Sequence, residues 1–276
     1  MSKIETALRR AKGDRWRAET VGQSRAGEES RMRGEGFTAD RVRKNLPALV
    51  RLEPYSSYDL DEDVLAKNRV INYHYPEDAL TSYKMLRTRL LQKMNTNGWR
   101  SLAITSPRDG AGKSLTATNL AIAMASHGAH DVYLLDLDLR NPRIAKNLGL
   151  PGFELDLGEY LAGRTPVSRV CCQVGIEHLF VLPSSQRQPN SSELITAQPM
   201  QELFRTILST VSDPIIIVDV PAILSADDAL AIAPWVDGLL LVVSESETDR
   251  EDVTRSLEIL SDANIAGVVL NKARDS

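Results

Sequence analysis

The chain has 276 residues, a formal net charge of −4 and 5% aromatic residues, with no run approaching the ~20 apolar residues of a membrane span. The length suits one or two domains with a large core, and the balance of charge does not point to a nucleic acid. The opening MSKIETALRRAKGDRW has no apolar core of a secretory signal, and the two cysteines are adjacent (Cys171-Cys172), a spacing that fits neither a bridge nor a metal site, so a cytoplasmic protein is expected.

In chain order, residues 2–12 read as a short amphipathic helix with Ile4, Ala7, Leu8 and Ala11 on one side. From about residue 13 to residue 70 the chain is polar and without period, which predicts a largely disordered linker, with the acidic DLDED at 59–63 simply solvated. Charge is uneven: residues 1–51 hold 13 Lys+Arg against 7 Asp+Glu, and the remainder holds 20 against 30. The basic segment suits an acidic surface or partner, and equally a solvated tail. A helix is predicted over about 76–94, with Leu80, Tyr83, Leu86, Leu90 and Leu91 as its buried stripe. Strands then follow at 101–105, 132–136, 178–182, 215–219, 237–243 and 266–270, alternating with helices near 114–127, 198–210, 226–233 and 249–262. Alternation with near-continuous apolar strands predicts an α/β, doubly wound, mostly parallel sheet covered on both faces. The division expected is a basic, mostly flexible arm over 1–75 and a P-loop domain over 76–276.

The stretch SPRDGAGKSLTATNLA (106–121) joins the first of these strands to a helix. A glycine-bearing turn at a helix N-terminus gathers free N–H groups, and the helix dipole favours an anion there. Gly110 and Gly112 allow close backbone approach, Lys113 can reach β- and γ-phosphates, and the Ser114 hydroxyl suits Mg²⁺. The strict G-x-x-x-x-G-K-[ST] spacing fails at its first position, Pro107. In VYLLDLDLRNPR (132–143) an apolar strand delivers Asp136 and Asp138 to the edge where open α/β sheets bind ligands. Such carboxylates can hold Mg²⁺ or take a proton from a nucleophile; the plainer reading is a helix cap or a salt bridge to Arg140. PIIIVDVPAIL (214–224) leads into Asp219 in the manner of a Walker B strand, with Asp227 and Asp228 at the next helix start, one of them a candidate N-cap. Asn271, just past the last strand, could read adenine or serve as a turn residue. Histidines 74, 127, 130 and 178 show no ligand spacing.

Together SPRDGAGKS, LLDLDLRNP, VLPSSQRQPNSSELI (181–195), IIIVDVP, VDGLLLVV and VVLNK resemble the bacterial tyrosine kinases of capsule and exopolysaccharide synthesis, relatives of the deviant-Walker ATPases that include MinD and ParA. The PNSSEL segment is the most discriminating, and MSKIETALRRAK with NGWRSLAITSP is similar to the cytoplasmic kinase-like member found beside exosortase-linked polysaccharide loci. The resemblance implies a protein-tyrosine kinase using ATP and Mg²⁺. It also implies a membrane-embedded polysaccharide co-polymerase as partner, self-association, and peripheral attachment at the inner membrane through that partner. Gly110, Ala111, Gly112, Lys113, Ser114, Leu115 and Thr116 match the Walker A loop and helix start, Asp136 and Asp138 the Walker A′ pair, and Asp219 Walker B. The catalytic set so implied is Lys113, Asp136, Asp138 and Asp219, one of the Asp136/Asp138 pair aiding the metal and the other acting as base; the metal side chains are Ser114, Asp136 and Asp219. The alternative is a MinD/ParA-like ATPase that switches or positions without kinase activity.

Four features depart from the pattern. No tyrosine follows Tyr160, where these kinases carry a tyrosine-rich tail; Thr81, Lys84 and Arg87 stand in place of E-x-x-R-x-x-R; Val220 replaces Thr after Walker B; and Arg108 takes the place of the MinD signature lysine. The candidate phosphoacceptors are then Tyr55, Tyr58, Tyr73 and Tyr75.

Overall fold

The computed structural model describes residues 56–151, 156–245 and 247–273. The helix expected over 2–12, Tyr55 and most of the expected linker lie outside them.

The long helix is α2 (Glu77–Asn97), preceded by α1 (Glu62–Lys67) and the short strand β1 (Ser56–Ser57). No Gly or Pro interrupts α2, Glu77 and Asp78 sit in its first turn, where they complement the dipole, and Gly98 ends it in the left-handed region at φ +69°. Its stripe is half-buried apart from Leu90, and Met94, one turn further on, is fully covered. Then come β2 (Ser101–Thr105), α3 (Lys113–Ala125), β3 (Val132–Asp136), α4 (Ile144–Leu148) and α5 (Leu157–Leu161). The strands β4 (Cys172–Gln173) and β5 (Leu179–Leu182) precede α6 (Ser191–Thr196), α7 (Gln198–Thr210) and β6 (Ile215–Asp219). The chain closes with α8 (Asp228–Ile232), β7 (Gly238–Ser244), α9 (Arg250–Ile259) and β8 (Ile265–Asn271).

The strands form one sheet in the order β1-β4-β5-β3-β6-β2-β7-β8, parallel throughout except for the β4–β5 pair. The central strands are buried along their length, with apolar interiors, because both faces are covered. Leu102, Ile104, Leu134, Ile215 and Ile217 pack on one face with α2 and α3; Ala103, Tyr133, Leu135, Ile216 and Val218 pack on the other with α7 and α8. Each fully buried Leu or Ile contributes roughly 1.5–3 kcal/mol. Gly238 is required at the start of β7 because a Cβ there would stand 2.7 Å from the Trp99 ring.

The folded unit begins at least twenty residues before the expected boundary at 76. β1 pairs with β4, Asp61 caps α1 by accepting from Asp63 N and Val64 N, and Leu65 and Val70 are buried, so the acidic 59–63 stretch opens a helix of the folded unit, its four carboxylates exposed to solvent as expected. Side-chain amides do much of the fastening. Asn68 donates to the carbonyls of Lys146 and Asn147 at the end of α4, and Asn119 on α3 accepts from Ile71 N while donating to Arg69 O and the Tyr75 hydroxyl. These partners are distant in sequence, so no local period announces the segment.

Candidate active site

Between β2 and α3 the chain makes two left-handed glycine turns, Gly110 at φ +85° and Gly112 at φ +92°, the second serving as N-cap of α3. No side chain caps the helix, so its first N–H groups are free to meet an anion. The loop is braced from several sides. Ser106 Oγ donates to Arg108 O at 2.7 Å, Ile223 N and Leu224 N donate to Ser106 O and Pro107 O, and Arg108 forms a bidentate pair with Asp252 of α9. Asn271 comes up from the end of β8, and its Nδ2 donates to Ala111 O at 2.8 Å.

Strand pairing places the carboxylates. β6 lies between β3 and β2, so that Asp136 and Asp219 are register partners and Asp219 also faces Ile104. Asp136 Oδ2 accepts from Arg143 N and Ile144 N at 3.0 and 2.9 Å and thereby caps α4, while its Oδ1 is buried without a hydrogen bond. Neither oxygen of Asp219 has a partner. Asp138 accepts from Asn141 N and ion-pairs with the buried Lys113 ammonium. Thus Lys113, Ser114, Asp136, Asp138 and Asp219, scattered over a hundred residues, converge at the carboxyl edge of the sheet; Leu115 is half-buried against the core.

Titration follows from this crowding. Burial, then the Asp219 charge, raises the Asp136 carboxyl well above the ordinary carboxylate range, against the pull of the two α4 amides. Burial pushes Asp219 up to about 6; Lys113 and the nearby Ser114 hydroxyl oppose it, neither making a well-formed hydrogen bond to it. Burial also works against the Lys113 ammonium, but Asp219, Asp138 and Asp136 together outweigh it and hold its pKa above the usual lysine value. One ammonium set among three carboxylates leaves an excess of negative charge and unsatisfied oxygens, which a divalent cation would relieve. Among the described residues no three ligating His, Cys, Asp or Glu side chains form a metal cage.

A second polar cluster escaped the sequence reading. Arg140 Nε donates to Ser191 Oγ and to Asp228 Oδ2 at 3.0 and 2.9 Å, its Nη2 reaches Asp227, and the Ser191 hydroxyl donates to Asp228. Arg140 therefore pairs with the start of α8 rather than with the Asp136/Asp138 pair, and Asp227 makes no side-chain cap. The cluster ties the PNSSEL segment to the loop that carries Asp138. Nothing in the spacing of 140, 191 and 228 signals it.

A doubly wound parallel sheet with a glycine phosphate loop and strand-end aspartates defines a P-loop nucleotide-binding protein of the MinD/ParA class. Accordingly, the ParA family model, described as NUBPL iron-transfer P-loop NTPase, matches residues 99–274. The chain is 32% identical over 177 residues to tyrosine-protein kinase CpsD of Streptococcus agalactiae, covering 63% of this chain and 76% of that one. It is 30% identical over 217 residues to tyrosine-protein kinase YwqD of Bacillus subtilis, covering 75% and 90%. Among solved structures, the kinase domain of Escherichia coli tyrosine kinase ETK superposes with a TM-score of 0.66 at 26% identity, over 81% of this chain and 90% of that one. MinD from Pyrococcus horikoshii, solved with Mg-ADP, shares the fold at a TM-score of 0.52 and 20% identity, over 62% of this chain and 68% of that one. The chain belongs to the bacterial tyrosine-kinase family within the MinD/ParA-like P-loop superfamily. Among the described residues no helix is long and apolar enough to cross a membrane.

Proposed function

We propose that the chain is a protein-tyrosine kinase of capsule or exopolysaccharide biosynthesis that transfers the γ-phosphoryl group of Mg-ATP. The observation that carries this reading is the register pair Asp136–Asp219, buried with three unpartnered carboxylate oxygens beside Lys113 and a loop of free helix amides. In this reading the loop amides and Lys113 hold the phosphates. Ser114, Asp136 and Asp219 would hold Mg²⁺, which supplies charge neutralisation between the phosphates. Lys113 is paired with Asp138 in this structure. A triphosphate competes for that ammonium, and its shift from carboxylate to phosphate frees Asp138 to accept the proton of a tyrosine hydroxyl. The hydroxyl oxygen bonds to the γ-phosphorus as the bond to ADP breaks.

The proposed partner is a membrane-embedded polysaccharide co-polymerase, met from the cytoplasmic side at the inner membrane. The proposed self-contact is the face of α2 with Thr81, Lys84 and Met85 exposed; Arg87 is turned inward onto Ala123 O. A second reading, an ATPase switch without tyrosine transfer, is favoured by the acceptors: among the described tyrosines only Tyr73 is largely exposed, at 89%, and burial raises the pKa of Tyr75, Tyr83, Tyr133 and Tyr160. Incubation with labelled ATP and Mg²⁺, followed by phosphoamino-acid analysis and phosphate-release measurement, separates the two. Phosphotyrosine on the chain or on an added partner supports the kinase, and hydrolysis without phosphotyrosine on either supports the switch.

A further inference from the structure

Asn271 approaches the phosphate loop closely. Its Nδ2 donates to Ala111 O at 2.8 Å, and a Cβ on Gly112 would stand 2.2 Å from the same nitrogen. The amide occupies the space that Gly112 leaves by having no side chain. Because a trans peptide points its C=O and N–H in opposite directions, holding Ala111 O against Asn271 turns the Gly112 N–H away from it. That peptide leads directly into the first turn of α3, with Gly112 at φ +92°. Asn271 is itself firmly anchored. It is the register partner of Ser244 on β7, and its carbonyl accepts from Glu245 N at 2.9 Å. The next residue, Lys272, pairs with Glu247, which also accepts from Ser244 Oγ.

We infer that Asn271 is a positioning residue of the phosphate loop: it holds the Ala111–Gly112 peptide in its anion-binding orientation and so acts on the triphosphate rather than on the identity of the base. This rests on the nucleotide-binding reading above and differs from the adenine-reading role expected for an asparagine at this strand end. A base reader matters only to ligands that carry the base. A loop holder matters equally to a bare polyphosphate.

The test is calorimetric titration of ATP and of inorganic tripolyphosphate into the full chain, as wild type, Asn271→Ala and Asn271→Asp. Loss of one hydrogen bond of ordinary strength weakens binding roughly fivefold to tenfold. The expected result is that Asn271→Ala weakens both ligands by the same factor in that range. Asn271→Asp keeps the shape but has no proton to give Ala111 O, so it weakens both at least as much. It also serves as the second variant should the alanine protein fail to fold. Loss confined to ATP, with tripolyphosphate unchanged, overturns the inference in favour of base reading. Wild-type protein that binds ATP but not tripolyphosphate also overturns it, because a cradle held without the base must accept the bare anion. If the wild type binds neither ligand, the nucleotide reading of the loop fails instead.

Discussion

The two ends of the same sheet treat aspartate in opposite ways. At the amino end, Asp237 accepts from Arg100 N, Ser101 N and Ser101 Oγ at 2.7, 2.9 and 2.8 Å. Beside it Asp213 holds Arg100 at 2.7 Å and His130 at 3.0 Å, and Asp131 holds His178 Nδ1 at 2.8 Å. Each carboxylate there staples the start of one strand to its neighbour. At the carboxyl end three buried aspartates share one lysine, and three of their oxygens have no hydrogen-bond partner. Burial without partners raises free energy, so this end is less stable than it could be. The lesson is that a carboxylate satisfied by donors from the neighbouring strand secures a fold, whereas one left short of donors is available to a cation or a proton.

The contrast can be broken first at Lys113. Lys113→Ala removes the ammonium proposed to hold the phosphates, and phosphoryl transfer or hydrolysis should fall by about 10²-fold or more while the circular dichroism spectrum stays folded. Unchanged turnover would remove the loop from the chemistry. At the other end, Asp237→Ala strips three donors of their acceptor and should destabilise the protein by about 2–3 kcal/mol in denaturant unfolding. Turnover per folded molecule should be unchanged, and a matching loss of kcat would erase the distinction between the two ends.

Asp138→Asn keeps size but removes a proton acceptor. ATP should still bind, with transfer or hydrolysis reduced at least about tenfold, since a positioned base contributes ~10²–10⁴. Full activity would assign Asp138 to structure. The smallest effect has the opposite sign. Because burial lifts Asp219 to about 6 from 3.8, its ionisation costs the folded state more than the unfolded one. Its contribution to stability therefore declines as pH rises from about 4 to about 6, when Mg²⁺ is chelated. Asp219→Asn should then melt higher than wild type at pH 7 in a chelator, by a few degrees for about 1 kcal/mol. The difference should shrink at pH 5; an equal difference at both values would show that the charge of Asp219 is not the cause.

The sequence is legible where the physics is local. IIIVD and VYLLD are apolar runs ending in a charge, and the strands at 215–219 and 132–136 have the expected limits because a strand covered on both faces needs such a run. The glycine turn before α3 is legible for the same reason: the left-handed Gly110 and Gly112 and the helix start at Lys113 are neighbours in the chain. The segment over 56–75 was not legible. It offers few apolar residues and no period, and it is held by Asn68, Asn119 and a two-residue strand whose partners lie far along the chain. Arg140, Ser191 and Asp228 were missed likewise, since each alone is an unremarkable polar residue.

By itself the sequence determined the order of the six longer strands and of the helices between them that carry an apolar period, and the glycine turn that opens α3, because these depend on hydrophobic period and on short-range backbone geometry; the short elements β1, α1, β4, α4, α5 and α6 carry no such signal. Only the tertiary structure decided that β6 enters between β3 and β2 and makes Asp136 and Asp219 register partners, that Lys113 pairs with Asp138, and that Asn271 meets Ala111. Those contacts join residues as many as 160 positions apart. They are set by which strands pair and by which charges burial forces together, and neither is written in any local stretch of chain.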